Sequence, residues 1–235
     1  MHEGSVSSLL GMTGRPGLAE ELMLGRDLAL ARLTGVRFHA LHLSTAGSVA
    51  LLRAAKAEGL AVTAEVTPHH LAFDHGVVAS TDPTYKVNPP LRSADDVAAL
   101  REALADGTID AVATDHAPHA AHDKDVPFED APAGVIGLET AAAAVHTFAG
   151  LDPAAFFTRM SVAPAAIAGL GRHGRPPAAG SPANLVVFDP EETWIPAPAE
   201  SRSVNSPFHA VELKGRPRFT VFEGRVTFAD GKVAV

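Results

Sequence analysis

The residues best able to do chemistry stand at the end of a short apolar run. Residues 109–114 (Ile-Asp-Ala-Val-Ala-Thr) lead into Asp115 and His116, and His119 follows just past Pro118. Carboxylate and imidazole groups ligate metal ions, and an Asp can also move a proton. Pro118 prevents a helix from forming there. An apolar run of this length fits a buried parallel strand, and α/β barrels hold their chemistry at the C-terminal ends of such strands. Strand alternation places Asp115 on one face with Ala113, Ala111 and Ile109, small neighbours that leave room for a ligand. His119 lies within reach of the same cavity.

Other segments carry weaker chemical signals. In Phe38-His39-Ala40-Leu41-His42-Leu43-Ser44-Thr45, alternation puts Phe38, Ala40 and His42 on one face and His39 and Leu41 on the other. One histidine then faces the interior, where a metal ligand and a hydrogen-bonded core histidine are equally good readings. Thr67-Pro68-His69-His70 follows another apolar run. Adjacent histidines point apart in extended chain, which favours a structural role. Asn88, in the proline-fixed loop Lys86-Val87-Asn88-Pro89-Pro90-Leu91-Arg92, has the donors and acceptor to pair with a planar amide; an ordinary turn explains the loop as well. The glycine-bearing stretch Ala131 to Thr140, with Ala133 and Gly134, offers backbone N–H groups to oxygen atoms, as do many loop-to-helix junctions. Asn205-Ser206-Pro207-Phe208 reads as a turn.

These residues need a scaffold, and the pattern supplies one. Residues 17–34, between Pro16 and Gly35, predict an amphipathic helix. Strands are expected at 36–43, 60–66 and 109–114, with helices at 48–58 and 94–105, the latter capped by Ser93 and stopped by Gly107. Strands alternating with helices predict βαβ units and a parallel sheet. Ala-rich helices follow at 137–149 and 153–170. Beyond about residue 171 the chain turns Pro/Gly-rich, with short strands at 184–188, 219–222 and 225–228 that predict a small β module.

Composition narrows the function classes. The chain has 235 residues, 46% hydrophobic and 20% charged, which suits a packed globular fold. A net charge of −8 argues against a nucleic-acid surface. With no cysteine, a metal must rest on His and carboxylate. The N-terminus has no signal-peptide pattern and no apolar run nears the roughly 18 residues of a membrane span, so the cytoplasm is the expected location.

Taken together, several motifs closely resemble the class I dihydroorotases of the amidohydrolase superfamily. They are Met1-His2-Glu3-Gly4, His42-Leu43-Ser44-Thr45-Ala46, Thr63-Ala64-Glu65-Val66-Thr67-Pro68-His69-His70-Leu71, Lys86 to Arg92, Ala113-Thr114-Asp115-His116-Ala117-Pro118-His119, Gly137-Leu138-Glu139-Thr140 and Asn205-Ser206-Pro207-Phe208. They run in family order over nearly the whole chain.

The resemblance implies an α/β fold: the C-terminal part of a (β/α)8 barrel, about strands six to eight, over residues 1–175. Part of a small β-sandwich would follow at 176–235. It further implies a binuclear Zn2+ site and reversible hydrolysis of dihydroorotate to N-carbamoyl-aspartate in pyrimidine synthesis. His42 and Asp115 would be metal ligands, and Asp115 also the general acid and base. Asn88, His119, Ala133 and Gly134 would contact the small-molecule substrate; the family usually has a bulky aromatic where this chain has Ala133. His69 and His70 match no family ligand.

The family's first-strand His-x-His and Arg, its fourth-strand Asp and its fifth-strand His have no counterpart here. The expectation is therefore a chain beginning in mid-barrel, with an incomplete ligand set and negligible turnover alone. The alternatives are a non-catalytic subunit associated with aspartate carbamoyltransferase, or another cyclic amidase such as a hydantoinase or allantoinase. A homo-oligomer is compatible with all of these.

Overall fold

The computed structural model describes residues 1–197, 200–229 and 231–234. A short helix α1 (Ser5–Leu10) precedes α2 (Gly17–Thr34). Helix α2 stops at Gly35, whose φ of 69° turns the chain left-handed and sends its N–H to Ala31 O at 2.8 Å. Three βα steps follow: β1 (Phe38–Ala40), α3 (Ala46–Ala57), β2 (Val62–Val66), α4 (Pro68–Ala72), α5 (Ala94–Asp106) and β3 (Ala111–Val112). Ser93 caps α5, as the sequence predicts, and Asp96 caps it reciprocally.

The three strands form a parallel sheet in the order β1-β2-β3, with His39 beside Thr63 and Glu65 beside Ala111. The helices bury apolar side chains against it. Leu24 and Leu28 of α2, Leu52 of α3, Leu100 and Leu104 of α5 and Ile109 join Ala64 and Val66 in one core.

Two expected strands are shorter than the apolar runs that suggested them. Residues 36–43 give a strand of three residues, and 109–114 one of two. At their ends His42 and Asp115 take positive φ, 51° and 46°. A left-handed residue leaves the extended ladder, so alternation does not extend to either side chain. The faces assigned from period two at His42 and Asp115 are corrected on this ground.

After β3 come α6 (Ala121–Lys124), α7 (Ala141–Phe148) and α8 (Pro153–Phe157), which runs through a π turn at Thr158–Val162 into α9 (Ala163–Ile167). Helix α7 starts at Ala141, later than the expected 137, because the Gly137 and Leu138 N–H groups point at His116 Nδ1 (3.1 and 3.4 Å). The C-terminal region is an antiparallel sheet of β4 (Leu185–Trp194), β5 (Leu213–Phe222), β6 (Arg225–Ala229) and β7 (Lys232–Val233). Positive φ at both Glu223 and Gly224 makes the tight β5–β6 hairpin turn. This sheet joins the first region through Phe208, Leu213 and Trp194, packed on Ala143, Ala144 and Phe148. Among the described residues no helix is long and apolar enough to cross a membrane.

Candidate active site

The two left-handed strand ends bring His42 and Asp115 together. His42 Nε2 lies 3.6 Å from Asp115 Oδ1, beyond hydrogen-bond length. Two ligands at about 2.0–2.1 Å from one tetrahedral zinc ion stand roughly 3.3 Å apart, so the pair suits two corners of such a site. The other imidazole nitrogen, Nδ1, is buried and 3.0 Å from Glu65 Oε1, at ion-pair distance without hydrogen-bond alignment. Glu65 Oε2 also faces His39 Nε2 at 3.1 Å, and His39 Nδ1 meets Thr63 Oγ1 at 2.7 Å.

A carboxylate can only accept, so His39 presents Nε2–H to Glu65, and Nδ1 of that tautomer accepts a hydrogen bond from the Thr63 hydroxyl. Both histidines thus reach one carboxylate, which alternation along a longer strand had placed on opposite faces. The Glu65 carboxylate, and Asp115 beyond it, hold the His42 imidazolium above the usual range against the opposing effect of burial. Burial alone would raise the Glu65 carboxyl, but the two imidazoles carry it below the usual value. The net arrangement turns His42 Nε2 toward Asp115.

The Thr67-Pro68-His69-His70 histidines lie on α4 and are buried, both 2% exposed. His70 Nε2–H donates to Pro89 O at 3.0 Å, and its Nδ1 accepts from Thr67 Oγ1 at 2.6 Å. His70 therefore braces the loop that carries Asn88. Asn88 itself is exposed, and its Oδ1 accepts from Arg15 Nη1 at 2.9 Å. Beneath this loop Arg92, 3% exposed, donates to Arg15 O (2.7 Å) and Ser44 Oγ (3.0 Å) and lies 3.8 Å from Glu20. Glu20 accepts from Ser44 N at 2.9 Å and contacts Ser44 Oγ. Glu20 and Arg92 thereby fix the turn just after His42 to the Asn88 loop.

His119 and the Ala133–Gly134 stretch form a third unit. His119 Nε2 is 3.1 Å from Ala133 O, and Gly134 N–H donates to Lys86 O at 2.8 Å. That bond corrects the expectation that the Gly134 N–H is open to a ligand. Gly134 has φ of 141°, and a Cβ there would sit 2.7 Å from Ala117 Cβ and 2.8 Å from His119 Nε2. Only glycine permits this approach. Asn205, expected to be a turn residue, is instead buried between these loops: Nδ2 donates to Ala117 O (3.0 Å) and Gly134 O (3.1 Å).

Sequence reasoning missed Glu65, Glu20, Arg92 and Asn205. One signal was present for Glu65, a lone acid inside the apolar strand Val62–Val66. His42 and Asp115 suit part of a metal site, yet among the described residues no group of three or more His, Asp or Glu is placed to hold an ion.

Comparison with known proteins bears directly on this geometry. The amidohydrolase family profile matches residues 3–227. The chain belongs to the amidohydrolase family. Within that family it is 52% identical, over 99% of its length, to the dihydroorotase of Streptomyces coelicolor, of which it covers 56%. It is 49% identical over 99% of its length to the dihydroorotase of Mycobacterium tuberculosis, covering 55% of it. The chain thus spans about half the length of the curated relatives it matches. Among solved structures it resembles the L-hydantoinase of Arthrobacter aurescens, with TM-score 0.88 and 30% identity over 94% of this chain and 51% of that one. A D-hydantoinase from Thermus gives TM-score 0.83 at 28% identity, with the same coverage. The α/β arrangement is therefore that of the amidohydrolases.

Proposed function

We propose that this chain carries the acid–base carboxylate, two metal ligands and the substrate loops of a dihydroorotase. The reaction is the reversible hydrolysis of dihydroorotate to N-carbamoyl-aspartate. The observation that carries the reading is the convergence of His42 Nε2 and Asp115 Oδ1 from two parallel strand ends. About 50% identity to dihydroorotases supports that substrate over the hydantoins, since the hydantoinases match at 30% or below.

In this reading residues 1–175 are barrel units, about strands six to eight, and 176–235 belong to a β-sandwich. Zinc, held in part by His42 and Asp115, would supply an acidified water and polarise the scissile carbonyl. Asp115 takes a proton at its free carboxylate oxygen and returns it to the departing ring nitrogen. Asn88 pairs with the planar ring amide through its Nδ2 group, leaving Oδ1 to Arg15. His119 and the Ala133–Gly134 backbone line the substrate side. Glu65 keeps His42 turned so that Nε2 faces the reacting centre.

Two ligands do not hold a metal pair, so the 235-residue chain alone is expected to show negligible turnover and to bind fewer than two zinc ions tightly. The decisive test is a chimaera in which this chain replaces the matching part of the Streptomyces coelicolor enzyme. It is expected to hydrolyse dihydroorotate well above hydantoin, and Asp115→Asn to abolish the activity. A folded, zinc-loaded chimaera without dihydroorotate hydrolysis would overturn the proposal. The competing reading is a non-catalytic subunit of aspartate carbamoyltransferase, which the short ligand set favours. The retention of His42, Asn88, Asp115 and His119 together weighs against it.

A further inference from the structure

We propose that Asn205 is a positioning residue, a latch from the C-terminal segment that sets the spacing of the His119 and Gly134 loops. The inference rests on the dihydroorotase reading for its consequence, since those loops are the ones assigned to substrate. Its geometry stands independently.

Asn205 is 4% exposed, and its hydrogen-bonding groups go to the two loops. Its Nδ2 group donates to Ala117 O at 3.0 Å on one and to Gly134 O at 3.1 Å on the other. Its Oδ1 accepts the His119 N–H at 3.4 Å, and its backbone carbonyl accepts the Ile136 N–H at 3.1 Å. The loops also meet directly, through Ala117 N–H on Val135 O (2.8 Å) and His119 Nε2 beside Ala133 O (3.1 Å). Those direct contacts leave the Ala117 and Gly134 carbonyls to be satisfied, and a primary amide has the two donors they require. Aspartate in this place would set a carboxylate against two carbonyl oxygens. Alanine would leave both carbonyls buried and unpaired.

The latch is anchored. Ser206 is buried beside it, and three residues on Phe208 is 1% exposed in the core with Ala143, Ala144 and Leu213. Residues of the connection between β4 and β5 therefore hold the shape of a site built on the parallel sheet.

Amide exchange on the full chain is the first test. In Asn205→Ala the His119 amide, which loses its acceptor, is expected to exchange at least about tenfold faster, and in both Asn205→Ala and Asn205→Asp so is the Ala117 amide, bonded across the loops to Val135 O. The Leu100 and Leu104 amides of α5 are expected to keep their rates. The same substitutions in the chimaera are expected to raise KM for dihydroorotate about tenfold with kcat within about threefold. Leu28→Val, a core change on α2 and far along the chain from both loops, controls for general destabilisation and is expected to lower Tm with KM unchanged.

Wild-type exchange at Ala117 in both Asn205 variants would overturn the latch. So would a KM rise in Leu28→Val equal to that in Asn205→Ala. Faster exchange in a protein whose parent does not hydrolyse dihydroorotate upholds the latch and counts only against the assigned substrate.

Discussion

His42 and Asp115 each hold a left-handed backbone (φ 51° and 46°), a conformation that disfavours a residue with a Cβ by roughly 1–2 kcal/mol. That backbone turn takes both side chains off their strands and toward each other. Asp115→Gly is therefore expected to be more stable than Asp115→Ala by about 1 kcal/mol in urea unfolding, while both lose the proposed acid–base group. Equal stabilities would remove the argument that the strand end is strained.

A second prediction concerns protons. Burial lowers the pKa of His70 from 6.5 to about 4, and of its neighbour His69 in the same direction. Between those values the unfolded chain binds a proton that the native state does not. Stability is therefore full above about 6.5 and falls as pH drops toward 4, by about 3 kcal/mol for His70. Urea midpoints measured at about pH 7 and pH 5 should show this fall, and His70→Gln should weaken it.

At the scale of the elements, two polar devices hold the scaffold that aims these residues. Ser93 caps α5, accepting from Asp96 N at 3.2 Å, and Asp96 in turn accepts from Ser93 N and from Ala46 N at the start of α3. Ser93→Ala is expected to cost about 1 kcal/mol. Asp96→Ala, which loosens two helix starts, is expected to cost about twice that in the same assay. The Glu20–Arg92 pair is more deeply placed, with side chains 14% and 3% exposed. Arg92→Leu would strand a buried carboxylate next to the His42 turn. It is expected to cost about 3–5 kcal/mol, and the double change Glu20→Gln/Arg92→Leu to recover part of the loss. Additive losses would mean that the two side chains act separately.

Across the whole molecule, the parallel sheet runs β1-β2-β3 with β1 and β3 at its edges. Leu18, Leu22, Met23, Leu30 and Leu33 of α2 are more than half exposed, beside an open cleft of about 370 Å3 between α2 and the β1 edge. Unpaired edges and bare leucines favour association. Light scattering on the isolated chain is expected to report dimers or larger species, and a strictly monomeric, stable chain would contradict this. Much of the scaffold was legible from the residues. The Pro16–Gly35 bounds of α2, the Ser93 cap and the change from βα units to hairpins each rest on local chemistry that one window of sequence contains. The lengths of β1 and β3 were not legible, because the apolar runs continue past the point where His42 and Asp115 turn left-handed.

The sequence by itself offered His42, Asn88, Asp115 and His119 as candidate groups and the parallel strands that precede them, while the roles proposed for them follow from the family resemblance. Side-chain type and periodicity are local properties, and they suffice for the strands and helices. Only the tertiary structure decided how the groups are held. Glu65 stands between His39 and His42, Arg92 joins the Asn88 loop to the turn after His42, and Asn205 joins two loops from a segment some 70–90 residues farther on. A buried carbonyl or carboxylate must find its partner wherever packing places one. Distance along the chain carries no information about that choice.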